Sequence, residues 1–472
     1  MKSTQRLYEK IKWEKNMKRR QFGLMASSGL AAAATLRPTL GQAAPDPTLL
    51  TTTLTPLGAE RAGNADGSIP AWTGGMTEPS TGPVAIEVFQ DEQPLFTVDA
   101  SNLAEHQDMV PAGIQWMIKN VGFSLPVYPT HRTAAAPQYV YDNTALNVSR
   151  TQLNPNGGRL GFTNGYGGIP FPIIDTSDPQ VAGAQLIWNH LVSWQGFSST
   201  SFAPGYVMTG GQLVLSEGGT SHFRRPYYDP DGSLETFDGY FYKLHLYFSA
   251  PANFDGQEVI QWHTVNQEEN PDITWELLNG QGRVRKAPDE QYDSPNAYFN
   301  GVYNQDENSA FQGNPSQYDW TYIGKQEMYI PYHCNSLAFT PADQLFEPKA
   351  PNSQCIRWEK HRCWIVEATL HPGIRNVMSK RRFYLDEDTW IIGAGESYGG
   401  DGGLARIYMQ FSRAMPAFPA TAPIGFLVFD PVVVAYAYAG YLNVPPYTVP
   451  ESLAINPPSM YIPQEMSANA SF

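Results

Sequence analysis

The chain has 472 residues, 42% of them hydrophobic and only 16% charged, with 41 glycines, 39 prolines and 13% aromatics. So many aromatics with so little charge exclude a disordered chain, and this density of glycine and proline excludes a coiled coil or helical solenoid. The net charge of −14 divides into +7 over residues 1–43 and −21 over the rest, a body that repels nucleic-acid phosphates and anionic membrane surfaces.

The first segment reads as an address. Lys18-Arg19-Arg20-Gln21-Phe22-Gly23-Leu24 precedes a short apolar stretch over 25–34, and Gly41-Gln42-Ala43 places small residues before a cleavage point. The Arg19-Arg20 pair predicts a twin-arginine signal cleaved near Ala43. An ordinary Sec signal with two chance arginines is the alternative, disfavoured by the weak apolar stretch. Met17 offers a second start that would leave residues 1–16 untranslated. No cysteine directly follows the apolar stretch, so no lipid anchor is expected. No later apolar run reaches the ~18 residues of a membrane helix. The expected product is a soluble periplasmic protein.

Helical spacing appears over 103–109 and 112–120, split by Pro111. Asp178-Pro179 opens a third helix with Ala184, Ile187, Trp188, Leu191 and Val192 on one stripe, ending by Gly196. From about 201 to 409 strands dominate. They include 240–248, 258–265 and a hairpin through Asn279-Gly280. A strand over 356–370 turns at His371-Pro372-Gly373-Ile374 into 376–385, then at Asp386-Glu387-Asp388 into 390–396, an antiparallel meander. The absence of βα alternation argues against a parallel sheet. No linker divides 44–472, which reads as one domain, and 464–472 reads as a frayed tail.

Several segments together resemble a bacterial family of unknown function described as "outer membrane lipoprotein-sorting protein". They are Leu54-Thr55-Pro56-Leu57-Gly58-Ala59-Glu60-Arg61-Ala62-Gly63-Asn64, Tyr128-Pro129-Thr130-His131-Arg132, Gly168-Ile169-Pro170-Phe171-Pro172, Trp188-Asn189-His190, Arg357-Trp358-Glu359-Lys360-His361-Arg362 and Arg381-Arg382-Phe383-Tyr384-Leu385-Asp386-Glu387-Asp388-Thr389-Trp390. The twin-arginine signal departs from the Sec signals expected there. The resemblance implies a fold that is mainly β with α, a large curved antiparallel half-barrel like the Lol-type lipoprotein carriers, with packed helices, long loops and an apolar groove. It also implies partners: an RND-type exporter of hydrophobic compounds in the inner membrane and an outer-membrane protein. It supplies no enzymatic residues.

The residues themselves carry little catalytic chemistry. Gly395-Glu396-Ser397-Tyr398-Gly399 matches a nucleophile elbow, but that motif needs a helix directly after it and a later histidine. The chain instead continues with Gly400-Asp401-Gly402-Gly403, and the last histidine is His371, so a strand end and hairpin is the expectation. The nine histidines form no metal motif, which leaves only a site assembled from distant ones. Asp386-Glu387-Asp388 lacks EF-hand spacing and fits a polar turn. No P-loop or dinucleotide motif occurs, and no metal or cofactor is expected. Of Cys334, Cys355 and Cys363, one is unpaired in any monomeric scheme, and Cys334–Cys355 is the disulfide to test.

One constellation reads as a ligand face. Trp358, Arg362 and Trp364 share one side of the 356–370 strand. If the Pro372-Gly373 turn is tight, Trp364 meets Arg381 and Arg362 meets Phe383 as cation–π pairs. Such a face suits an amphipathic ligand with an acidic head; arginines stacked on aromatics to stabilise the sheet are the alternative. The leading function is a periplasmic carrier of a hydrophobic or amphipathic ligand, not an enzyme. An exported hydrolase or cofactor protein and a carbohydrate-binding β protein are the alternatives. Replacing Arg19 and Arg20 by lysine is expected to block export in a cell lacking other start sites; an unchanged periplasmic yield contradicts the twin-arginine reading.

Overall fold

Tyr242, Leu244, Leu246 and Phe248 alternate with Lys243, His245 and Tyr247, and this period of two is the local reason the segment extends. The computed structural model describes residues 45–469 apart from 78–86, 156–157, 203, 288–291, 417–418, 445–446, 449–450 and 453–454. The signal region, with Arg19, Arg20 and Ala43, lies outside the described residues. Seventeen strands form one sheet. Fourteen of them position the site: β1 Ser198–Phe202, β2 Gly205–Thr209, β3 Gln212–Arg224, β4 Tyr240–Ala250, β5 Glu258–Thr264, β6 Ile273–Leu277, β7 Val284–Lys286, β8 Tyr318–Pro331, β9 Trp358–Leu370, β10 Met378–Asp386, β11 Ile392–Gly399, β12 Leu404–Met415, β13 Ala420–Asp430 and β14 Ala435–Ala439.

The strands pair antiparallel in the order β7-β6-β5-β4-β3-β2-β14-β13-β12-β11-β10-β9-β8. The fold is thus mostly β, as expected, and β7 and β8 do not pair with each other among the described residues, so the sheet stays open. Strand β3 is the pivot. Its first half pairs β2 and its second half pairs β1 and β4, which splits the sheet into a β1-β3-β7 arm and a β2-β14-β8 arm. A short strand, Leu125–Val127, adds one parallel contact to β9.

Among the described residues three helices of ten residues or more pack on this frame: α1 Ala112–Val121, α2 Gln138–Arg150 and α3 Pro179–Leu191. Helix α3 begins where the sequence places it. The Asp178 side chain accepts from the backbone N–H groups of Gln180 and Val181, and Pro179 fills the first turn. Its burial runs all round rather than along one stripe. Gly183 permits this, because a Cβ there would lie 2.6 Å from the Thr321 amide of β8. The expected helix over 103–109 is divided into Leu103–His106 and a 3-10 turn, Gln107–Met109. The tail expected to fray forms a helix, Pro463–Asn469, with Met466 fully buried among Ile260 and Leu277.

The register of the meander differs from expectation. Trp364 pairs Leu385, Val366 pairs Phe383 and Ala368 pairs Arg381. The strands end at Leu370 and resume at Met378, so the connection is wider than a tight Pro372-Gly373 turn. Asn376 shapes it, accepting from the Met378 amide and donating to Asp306 and Gln317. The expected Trp364–Arg381 and Arg362–Phe383 pairs therefore do not form. Nor does the Cys334–Cys355 disulfide: all three cysteines are free thiols. Cys334 sits in the core against the Arg357 carbonyl, while the Cys355 thiol turns to the Gln344 carbonyl. Gly395–Gly399 continues β11 into the β12 hairpin, with Ser397 bonded to the Tyr408 hydroxyl.

Three of the segments that carry the family resemblance, 54–64, 128–132 and 357–362, meet at the buried turn Asp386-Glu387-Asp388 of a fourth. Arg132 donates through Nε and Nη2 to both Asp388 oxygens, at 2.9 and 2.7 Å, and through Nη2 to the Glu60 carbonyl at 2.6 Å. Glu387 receives Arg362 at 2.7 Å and Lys325 at 2.5 Å. Glu359, fully buried, is met by His333, Arg357 and His361. Burial pushes the His361 imidazole down, but hydrogen bonds to Asp386 and Glu359 outweigh this and raise it to about 10, so it is a cation at neutral pH. The network fastens residues 54–72 and 128–133 onto β8–β10. Removing one member of a buried pair leaves the other charge uncompensated. Arg132→Met is therefore expected to lower stability by about 3–5 kcal/mol in denaturant titration; a loss under about 1 kcal/mol, the size of a surface pair, contradicts this role.

Candidate functional site: a cavity between the sheet arms

A cavity of about 340 Å³ lies between the two arms of the sheet. One wall is built by strand register. Ser199, Phe223, Leu244 and Gln261 form one rank across β1, β3, β4 and β5; Ser201, Ser221, Leu246 and Val259 form the next. All eight line the cavity, and Phe248 extends the apolar part. The opposite wall comes from β12 and β13, with Gln410, Arg413, Met415, Ile424 and Phe426, closed by the 296–312 loop with Phe299, Tyr303 and Phe311. The volume falls within the range of small-molecule sites, which are largely apolar with a few placed polar groups.

Two ionisable groups in this wall are held neutral. His190, at the end of α3, accepts from the Ile392 amide through Nδ1 and donates through Nε2 to the Phe311 carbonyl. Burial lowers it to about 4. Glu217 on β3 is more than nine-tenths buried, and burial alone raises its carboxyl to about 8.

The residues expected to bind ligand lie elsewhere. Trp358 is fully buried in a second core, edge-on to Phe123. Arg362 is held by Glu387 and the Ala62 carbonyl. Trp364 stacks on Trp390 and lies under the Lys325 ammonium, 4.6 Å from its ring centre. Arg381 is fully buried, 2.5 Å from Asp306 and 3.1 Å from the Tyr318 hydroxyl. Phe383 packs among Trp320, Phe311 and Tyr408. None of the five lines the cavity, although Arg381 and Phe383 both touch Phe311, which does. The sequence signal that marks the true wall is the alternation over 240–248; Phe223, Glu217 and Val259 carry no comparable mark.

His361, Asp386 and Asp388 place potential ligand atoms within 4.8 Å of one another. All three are already engaged within the network, His361 with Asp386 and Glu359 and Asp388 with Arg132.

Glu217 makes a distinct pH signature. The folded protein keeps its proton up to about 8, whereas an ordinary carboxyl loses it near 4.5. Stability contributed by this group therefore falls as pH rises between those values. Glu217→Gln does not titrate, so it is expected to gain progressively on the wild type over that window. A constant offset between the two melting curves contradicts the assignment.

Known proteins are similar to this chain in sequence and, more distantly, in structure. Residues 97–466 match the family model described as "Protein of unknown function (DUF1329)". The uncharacterized protein PA3922 of Pseudomonas aeruginosa is 36% identical over 370 residues, 76% of this chain and 79% of its own length. Among solved structures, a DUF1329 family protein from Desulfovibrio piger is similar at 14% identity and TM-score 0.39, over 56% of this chain and 91% of its own. A putative outer membrane lipoprotein-sorting protein domain from Vibrio parahaemolyticus is similar at 8% identity and TM-score 0.39, over 57% of this chain and 92% of its own. A LolA superfamily protein from Nitrosomonas europaea is similar at 8% identity and TM-score 0.33, over 57% and 92%. With the family model running over most of its length and a relative of 36% identity beside it, the chain belongs to the DUF1329 family.

Proposed function

We propose that this protein binds an apolar or amphipathic molecule in the cavity between its sheet arms and carries it through the periplasm. The observation that supports this reading is the registered wall of Phe223, Leu244, Leu246, Phe248 and Val259, an apolar face inside the protein that no side chain fills. A sheet that stays open leaves such a face accessible to a guest, and burying one large apolar group there contributes roughly 1.5–3 kcal/mol. No helix among the described residues is long and apolar enough to cross a membrane. The predicted export signal supplies the compartment. The RND-type exporter and outer-membrane protein implied by the resemblance are the partners such a carrier would serve.

Native mass spectrometry of protein purified from the periplasm is expected to show a bound apolar molecule. Ser221 stands between Ser201 and Leu246 on the wall, and Ser221→Phe puts a ring into the cavity while leaving the apolar wall residues in place. That variant is expected to lose the bound molecule and to bind apolar probes at least about tenfold more weakly, a change of about 1.4 kcal/mol, with its melting temperature kept. A wild-type protein that carries nothing and binds no apolar probe contradicts the reading.

A further inference from the structure

A β-bulge delivers Glu217 into the cavity. Between β2 and β3, Gly205 pairs Glu217 while Tyr206 pairs Leu215, so Ser216 is the extra residue. The Ser216 hydroxyl turns to the Tyr298 carbonyl at 2.5 Å. A second irregularity lies at Gly218-Gly219, on the β4 side. Bulges re-aim side chains and gather beside functional sites. Gly205 fits the same purpose, since a Cβ there would lie 2.4 Å from the Phe299 ring and 3.0 Å from Glu217 Oε1.

Several other buried acids have charged counter-groups, Asp388 with Arg132, Asp306 with Arg381 and Glu258 with His245, and Glu396 is met by the Gly113 amide and the Tyr384 hydroxyl. Among the described residues, neither a hydrogen-bond donor nor a cation meets the Glu217 carboxyl, and desolvation alone perturbs it. A buried polar group is ordinarily satisfied, and a guest in the cavity is positioned to supply the partner that the protein does not. In its neutral form a carboxyl both donates and accepts, which matches a hydroxyl or a carbonyl. Both cavity arginines have partners: Arg225 donates through Nη2 to Gln195 Oε1 at 3.0 Å, and Arg413 also has its own contacts. The remaining polar lining is largely amide, including Asn296, Gln305, Gln312 and Gln410.

We propose that the cavity selects an uncharged amphiphile, its hydroxyl or carbonyl group seated on the Glu217 carboxyl and its apolar body against Phe223, Leu244, Leu246 and Phe248. The inference rests on the binder reading above and adds the chemical class of the guest. The test is displacement of the fluorescent probe N-phenylnaphthylamine from the purified full chain by dodecanol, dodecanoate and dodecylamine at neutral pH. Dodecanol is expected to displace the probe at concentrations about tenfold or more below the other two. Glu217→Gln, whose amide still donates, keeps that order. Glu217→Leu loses about tenfold in affinity for dodecanol. A preference for dodecanoate or dodecylamine, or wild-type affinity for dodecanol in Glu217→Leu, overturns the inference and leaves the binder reading standing. Failure of the wild type to bind the probe and all three competitors overturns both.

Discussion

The turn Asp386-Glu387-Asp388 is buried, and a carboxylate taken out of water holds its charge only where cations and donors already wait for it. Here they arrive from distant parts of the chain: Arg132, Lys325, His361 and Arg362. The arrangement fixes the path of residues 54–72 and 128–133, because the Arg132 guanidinium also takes the Glu60 carbonyl. It fixes the start of β11 as well, since Trp390, directly after the turn, donates to the Leu57 carbonyl. A network of this kind adds little net stability over an apolar equivalent, but it is costly to break. Its consequence is a rigid β8–β11 wall on which α3 rests.

That rigidity separates two kinds of chemistry within one sheet. In the β8–β11 region the arginines and acids satisfy one another, and Arg381, although surrounded by aromatics, already holds Asp306. In the β3–β5 region the inward face is largely apolar, interrupted by Glu217, Ser221 and Gln261, and faces space. Its outward face is covered: Trp262 donates to the Tyr461 carbonyl, and Met466 packs on Ile260. The C-terminal segment thus backs the cavity wall from outside. Phe311 joins the two regions, lining the cavity while packing on Phe383 and lying under Arg381.

Much of the sheet was legible in the sequence, since strands such as 240–248 and 356–370 show themselves by alternation. Register was less so. A tight turn at Pro372-Gly373 would place Trp364 opposite Arg381, yet Asn376 widens the turn and the pairing moves to Leu385. Helix α2 escaped notice because its buried positions are Val140, Thr144 and Asn147, two of them polar. Asn147 is inside because its amide donates to the Gly168 and Ile169 carbonyls, a contact no local pattern reveals. Arg362 and Arg381 were visible on the meander strands, but the distant ion pairs were not: Arg132 and Asp388 are 256 residues apart, and Arg381 and Asp306 are 75 apart. Glu217 was invisible for another reason. A glutamate between a serine and two glycines gains meaning only from the bulge that turns it inward.

The central claim is one of place: guests sit between the sheet arms, not on the Trp358–Phe383 face. Photolabelling with a diazirine-bearing apolar alcohol, with the adducts mapped by peptide mass spectrometry, tests it most directly. The structure predicts adducts within residues 215–264 and 410–426. Adducts confined to residues 358–386 would contradict it.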